Sequence, residues 1–134
     1  MNAKIAYTAH NTPKKILSNF DLEKIVDTSD DWIQSRTGIK QRYIVEKGEA
    51  SSDICTRIAK KLLDKSEIQA DDIDLIIVGT VTPDHYTPST AALVQKNIKA
   101  NNAWGFDLSA ACSGYIFGLE TGSNFIRSGQ YKNV

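Results

Sequence analysis

The chain has 134 residues, 41% apolar and 24% charged, with a formal net charge of zero. That length allows one domain with a hydrophobic core, placed here over 1–134 without an internal boundary. The balanced charge, without a basic stretch, gives no reason to expect nucleic acid or an anionic membrane as partner.

A first strand is predicted at Ala3 to Ala9, and Pro13 breaks the segment after it. A short helix is predicted from Asp21 to Val26, with Asn19 or Asp21 as cap. Ser29 suits the cap of a second short helix through Trp32 and Ile33, which Gly38 would end. Arg42 to Val45 is read as a strand and Lys47-Gly48-Glu49 as a turn. From Ser52 to about Lys65, Ile54, Cys55, Ile58, Ala59, Leu62 and Leu63 form one stripe of an amphipathic helix. Asp74 to Val81 is a continuous β-rich run that suits a strand buried on both faces. A loop with Pro83 and Pro88 leads to a helix from Ser89 to about Ile98, then a short strand from Trp104 to Leu108. The last helix is predicted from about Cys112 to Arg127, stopping at Gly129. Strands alternating with helices argue for an α/β layered fold.

The two cysteines do not make a disulfide framework. With no secretory leader they read as free thiols of a reducing, cytoplasmic compartment. The longest apolar runs, such as Leu75 to Val78, are too short to span a bilayer. Cys112 falls where strand gives way to helix, and the amides at a helix N-terminus favour a thiolate there. Gly114, Gly118 and Gly122 line one face of the same helix. Each costs about 1 kcal/mol relative to alanine, so a compensating close contact is expected, most simply with another helix. The flank from Tyr115 to Leu119 is apolar nearly all round, which predicts a central helix covered on all sides. No obvious partner for the glycine face is seen in the sequence, which would favour self-association.

Two segments resemble the β-ketoacyl-acyl-carrier-protein synthase III family of thiolase-fold condensing enzymes. One is Asp27-Thr28-Ser29-Asp30-Asp31-Trp32-Ile33 followed by Arg36-Thr37-Gly38-Ile39. The other is Phe106-Asp107-Leu108-Ser109-Ala110-Ala111-Cys112-Ser113-Gly114. The resemblance implies the N-terminal half of a thiolase-like α/β fold, a mixed sheet with a buried central helix, the second half being absent. It further implies a dimeric enzyme of fatty acid biosynthesis. In the family reaction, Cys112 takes an acyl group from an acyl-CoA primer. The enolate of malonyl-acyl carrier protein, formed by decarboxylation, then attacks the acyl-Cys112 carbonyl. The backbone N–H of Cys112 would be one oxyanion donor. The histidine and asparagine that assist decarboxylation belong to the second half.

By the same resemblance Thr28, Trp32 and Arg36 line the coenzyme A entry, with adenine held between the Trp32 ring and the Arg36 guanidinium. Thr87 stands at the acyl pocket where some short-chain enzymes carry phenylalanine, so longer primers are expected to fit. No metal and no cofactor is called for, since coenzyme A enters as part of the substrate. Cys55, on the apolar stripe, is read as core, and His10 and His85 as structural or surface residues. Two other functions compete: a non-catalytic remnant that binds coenzyme A or dimerises, and a thiolase-like acyltransferase with another acceptor.

Overall fold

Regular structure begins after Pro13 in the computed structural model, which describes residues 2–134. Contacts divide the chain into two units: Thr12–Glu49, and the residues up to Asn11 together with Ala50–Val134. No Gly- or Ser-rich linker marks either junction, which is why the sequence shows no boundary.

In the smaller unit, β1 (Lys15–Ser18) pairs antiparallel with β2 (Gln41–Ile44), Lys15 opposite Ile44 and Ser18 opposite Gln41. Four residues are too few to show alternation, so β1 is not legible in the sequence. Two helices lie between the strands, α1 (Asn19–Leu22) and α2 (Asp30–Thr37). The cap of α1 is Ser18, not Asn19 or Asp21. Its Oγ accepts the Asp21 N–H at 3.1 Å, and the Asp21 carboxylate accepts the Ser18 N–H at 3.0 Å. That exchange is a capping box built with aspartate. The helix stops short of Val26 because the Ile25 and Val26 amides both donate to the Leu22 carbonyl, at 2.8 and 2.9 Å, and turn the chain. α2 agrees with expectation: Ser29 Oγ accepts the Trp32 N–H at 3.1 Å, and Gly38 ends the helix at φ +70°.

The centre of this unit is polar. Asn19 is fully buried. Its amide donates to Asp30 Oδ1 at 2.8 Å and the Ile39 carbonyl at 2.7 Å, and its Oδ1 accepts from Arg42 at 2.8 Å. A buried polar side chain is tolerable only when satisfied in this way.

The larger unit runs α3 (Ser51–Lys65), β3 (Leu75–Gly79), α4 (Thr90–Ile98), β4 (Trp104–Leu108) and α5 (Gly114–Arg127). β3 and β4 pair in parallel, Leu75 opposite Trp104 and Gly79 opposite Leu108, with α4 as the crossover between them. Val78, Ala91 and Val94 form a buried cluster against which Cys55, Ala59, Ile76 and Ile98 pack. The α3 stripe therefore faces the core, and burial, followed by the charges of Asp84 and Asp107, pushes the Cys55 thiol above its ordinary pKa.

Two expectations are corrected here. The strand at Ala3–Ala9 does not form. The segment joins neither sheet, and the neighbouring carbonyls of Thr8 and His10 take hydrogen bonds from Lys65 and Lys61 at 3.1 and 3.0 Å. The glycine row of α5 meets a strand, not another helix. A Cβ on Gly79 would stand 3.2 Å from the Gly114 carbonyl carbon, and one on Gly118 would stand 3.8 Å from Ile77 Cγ2. Gly122 sits against Val134 and Ile77. Bare backbone lets the helix lie close on β3, and that contact compensates the poor helix propensity. Within this chain the other faces of α5 are open, with Tyr115, Ile116 and Phe117 at 65, 61 and 53% exposed. Among the described residues no helix is long and apolar enough to cross a membrane.

Candidate active site

Cys112 stands between β4 and α5. The helix starts two residues later than expected, at Gly114, and Cys112 occupies a short 3-10 turn, Ala111–Ser113, closed by the Ser113 N–H donating to the Ala110 carbonyl at 3.0 Å. The preceding residue, Ala111, has φ +44°. A non-glycine residue in this region is strained by roughly 1–3 kcal/mol and persists only where its surroundings hold it. The turn lifts the side chain out of the fold, and Cys112 is exposed.

The flanks of the turn are fixed. The Leu108 carbonyl at the end of β4 accepts the Thr80 N–H at 3.1 Å. Asp107 bonds the first turn of α4 with both carboxylate oxygens, accepting the Thr90 N–H at 2.7 Å and the Ala91 N–H at 2.8 Å. A carboxylate against unpaired amides at a helix N-terminus is favoured by hydrogen bonding and by the helix dipole. Asp84, in the loop between β3 and α4, does the same for α3. It accepts from the Ser52 N–H at 2.9 Å and from the Ser52 hydroxyl. Its own N–H donates to Thr90 Oγ1 at 3.4 Å. Sequence reasoning leaves Asp107 inside a motif without a role of its own and misses Asp84. A lone acid between Phe106 and Leu108 in an apolar strand is the available signal.

Thr87 lies in the same loop and is exposed, as are His85 and Tyr86. Thr28, Trp32 and Arg36 belong to the smaller unit. Thr28 is half-buried just ahead of α2, and Trp32 and Arg36 are exposed on it. Four residues apart, the last two meet on one helix face, and Arg36 Cζ lies 4.4 Å from the centre of the Trp32 ring. The guanidinium itself covers that face of the indole, so no ring fits between the two as they stand. Among the described residues no three His, Cys, Asp or Glu side chains gather as a metal site.

The family model for 3-oxoacyl-[acyl-carrier-protein] synthase III matches residues 106–134, the stretch that holds Cys112. A β-ketoacyl-[acyl-carrier-protein] synthase III of Chlorobaculum tepidum is 58% identical over 100% of this chain and 41% of its own length. The chain belongs to the β-ketoacyl-acyl-carrier-protein synthase III family. It spans about two fifths of the length of the synthase III relatives it matches. The crystal structure of the synthase III of Aquifex aeolicus superposes with a TM-score of 0.89 at 49% identity, over 93% of this chain and 40% of that one. The α/β fold is thus thiolase-like. A priming β-ketosynthase from the R1128 polyketide pathway also superposes, with a TM-score of 0.86 at 31% identity, over 91% of this chain and 36% of that one. Both synthase III signatures fall on helix starts, Ser29 capping α2 and Cys112 leading into α5.

Proposed function

We propose that this chain supplies the acyl-accepting part of a β-ketoacyl-acyl-carrier-protein synthase III of fatty acid biosynthesis. The observation that carries it is the exposed thiol of Cys112 on a strained strand-to-helix turn, within the segment matched by the family model. In the proposed step Cys112 attacks the carbonyl carbon of an acyl-CoA as a thiolate, its proton having passed to solvent. A carbon–sulfur bond to Cys112 forms, the bond to coenzyme A breaks, and coenzyme A leaves as its thiolate. The tetrahedral oxyanion between these events is held by backbone N–H groups, that of Cys112 among them. Trp32 offers an aromatic surface to the coenzyme A base, and Thr28 and Arg36 line the entry. Decarboxylation of malonyl-acyl carrier protein and the carbon–carbon bond then require residues from the part of the family fold outside the matched two fifths. A cytoplasmic homodimer is the assembly this reading carries with it.

The experiment is incubation with acetyl-CoA and with medium-chain acyl-CoA, followed by mass spectrometry of the peptide that contains Cys112. Acyl mass on that peptide, absent from Cys112→Ser, is the expected result. The small Thr87 side chain leads us to expect label from the longer primer as well. Unlabelled Cys112 with both substrates would remove acyl transfer from this chain and leave the non-catalytic function. The polyketide-priming neighbour favours a second reading, a condensing acyltransferase with another acceptor. The higher identity of the fatty-acid enzymes puts it behind the first.

A further inference from the structure

We propose that Gly79 and Asp107 are positioning residues for Cys112, holding its turn from the helix side and the strand side. The proposal rests on the acyl-transfer function above and extends it to residues outside the reacting group. Within this chain Ala111 and Cys112 are exposed, and the contacts that hold the strained turn here are those of its flanks.

On the strand side, β4 cannot slide or rotate without breaking the two Asp107 bonds to α4 and the Leu108 bond to Thr80. Thr90 and Ala91, which receive Asp107, are fully buried, so this anchor is rigid. On the helix side, Gly114 lies backbone to backbone on Gly79. A Cβ on Gly79 would come within 3.2 Å of the Gly114 carbonyl carbon and 3.3 Å of its oxygen. The relation is mutual, since a Cβ on Gly114 would stand 3.6 Å from Gly79 Cα. The segment from Asp107 to Gly114 is therefore strung between two fixed points, with the positive φ of Ala111 inside the span.

A methyl group at Gly79 meets backbone rather than a flexible side chain, so Gly114 must give by a few tenths of an ångström. That displacement falls on the segment carrying the Cys112 amide. Acyl transfer depends on where that amide stands, because it passes through an oxyanion that the amide must meet. Alkylation by iodoacetamide has no oxyanion and depends on the reach of the sulfur and its thiolate fraction, which acylation shares, so the ratio of the two rates isolates the oxyanion requirement. The two reactions therefore separate a misplaced amide from a disturbed fold.

The test compares wild type, Gly79→Ala and Asp107→Asn. The measurements are the rate of Cys112 acylation by acetyl-CoA, its rate of alkylation by iodoacetamide, and hydrogen exchange of residues 108–114. For Gly79→Ala the acylation-to-alkylation ratio is expected to fall about tenfold, since a 1 Å misplacement elsewhere costs up to about a hundredfold. Exchange should quicken at 108–114 and stay unchanged in α3. Asp107→Asn approaches the turn from the other side and serves if the alanine variant does not fold. Its amide group sets a donor against one of the two α4 N–H groups, and the same pattern is expected. Unaltered exchange at 108–114 in both variants overturns the proposal, and so does an equal fall in both rates. A wild type that alkylates but does not acylate overturns the acyl-transfer function instead, and the exchange data then decide the clamp alone.

Discussion

The two units are organised around opposite chemistry. In the larger one the buried centre is mainly apolar, with Leu75 and Ala91 fully buried, flanked by Val78 and Val94, and Thr90 is the fully buried polar residue among those described. In Thr12–Glu49 the fully buried side chain is Asn19, and Ile33 is the one buried apolar residue among those described. The elements there are four to eight residues long, too short to bury much apolar surface. A satisfied amide tying Asp30, Ile39 and Arg42 together sets their geometry instead. Such a network specifies one arrangement strictly and fails abruptly when a member is lost. An apolar core tolerates small changes and loses stability in proportion to the volume removed.

Leu75→Ala should therefore be the costliest single change. The side chain has no solvent exposure, and removing it is expected to cost about 3 kcal/mol by transfer and cavity terms. Denaturant unfolding checks the size, and hydrogen exchange should quicken first in β3 and β4. Asn19→Ala comes next, at about 2 kcal/mol, because it strands the Ile39 carbonyl and part of the Asp30 and Arg42 charges without partners. Here exchange should quicken across residues 12–49 and leave β3 and β4 protected. If Asn19→Ala leaves 12–49 as protected as before, the polar centre is not what holds that unit.

The same contrast explains what the sequence disclosed. The elements of the apolar unit are legible because burial writes periodicity: the stripe from Ile54 to Leu63 predicts α3 almost to the residue, and the run expected as a strand from Asp74 to Val81 contains β3, which ends two residues sooner at Gly79. β4 matches its expected bounds, Trp104–Leu108. In the smaller unit the capped helix α2 is plain, since Ser29 and Gly38 punctuate it, and the strand expected at Arg42 to Val45 is found as β2, one residue earlier. β1 carries no period, and the Asn19 hub joins residues eleven to twenty-three positions apart, which no local pattern reveals. The glycine row signals a demand for close contact but does not name the partner. Spacing along a helix tells which face is bare, not whether strand or helix will cover it. At the site, the motif marks Cys112, while the Asp107 anchor and the Gly79 contact need β3 and β4 side by side to be seen.

The smallest effect expected is one of pH, and it tests how local the polar organisation is. Hydrogen bonds from the Ser18 hydroxyl and backbone, then from Lys24, lower the Asp21 carboxyl from 3.8 to about 2. The folded form thus holds its proton less tightly than the unfolded form. The stabilisation is complete above the unfolded value of 3.8 and is lost as pH falls through about 2. Protonation weakens the carboxyl as acceptor for the Ser18 N–H, and the cap of α1 loosens. Amide exchange at 18–22 should therefore quicken between these two pH values while β3 and β4 stay protected. The Asp21 carboxyl resonance should titrate near the lower one. Asp21→Asn should show weaker capping that no longer varies over this range. A carboxyl that titrates at its unfolded value would mean that the box does not form in solution. Loss of β3 and β4 at the same pH would mean that the two units do not respond separately to the loss of one polar contact.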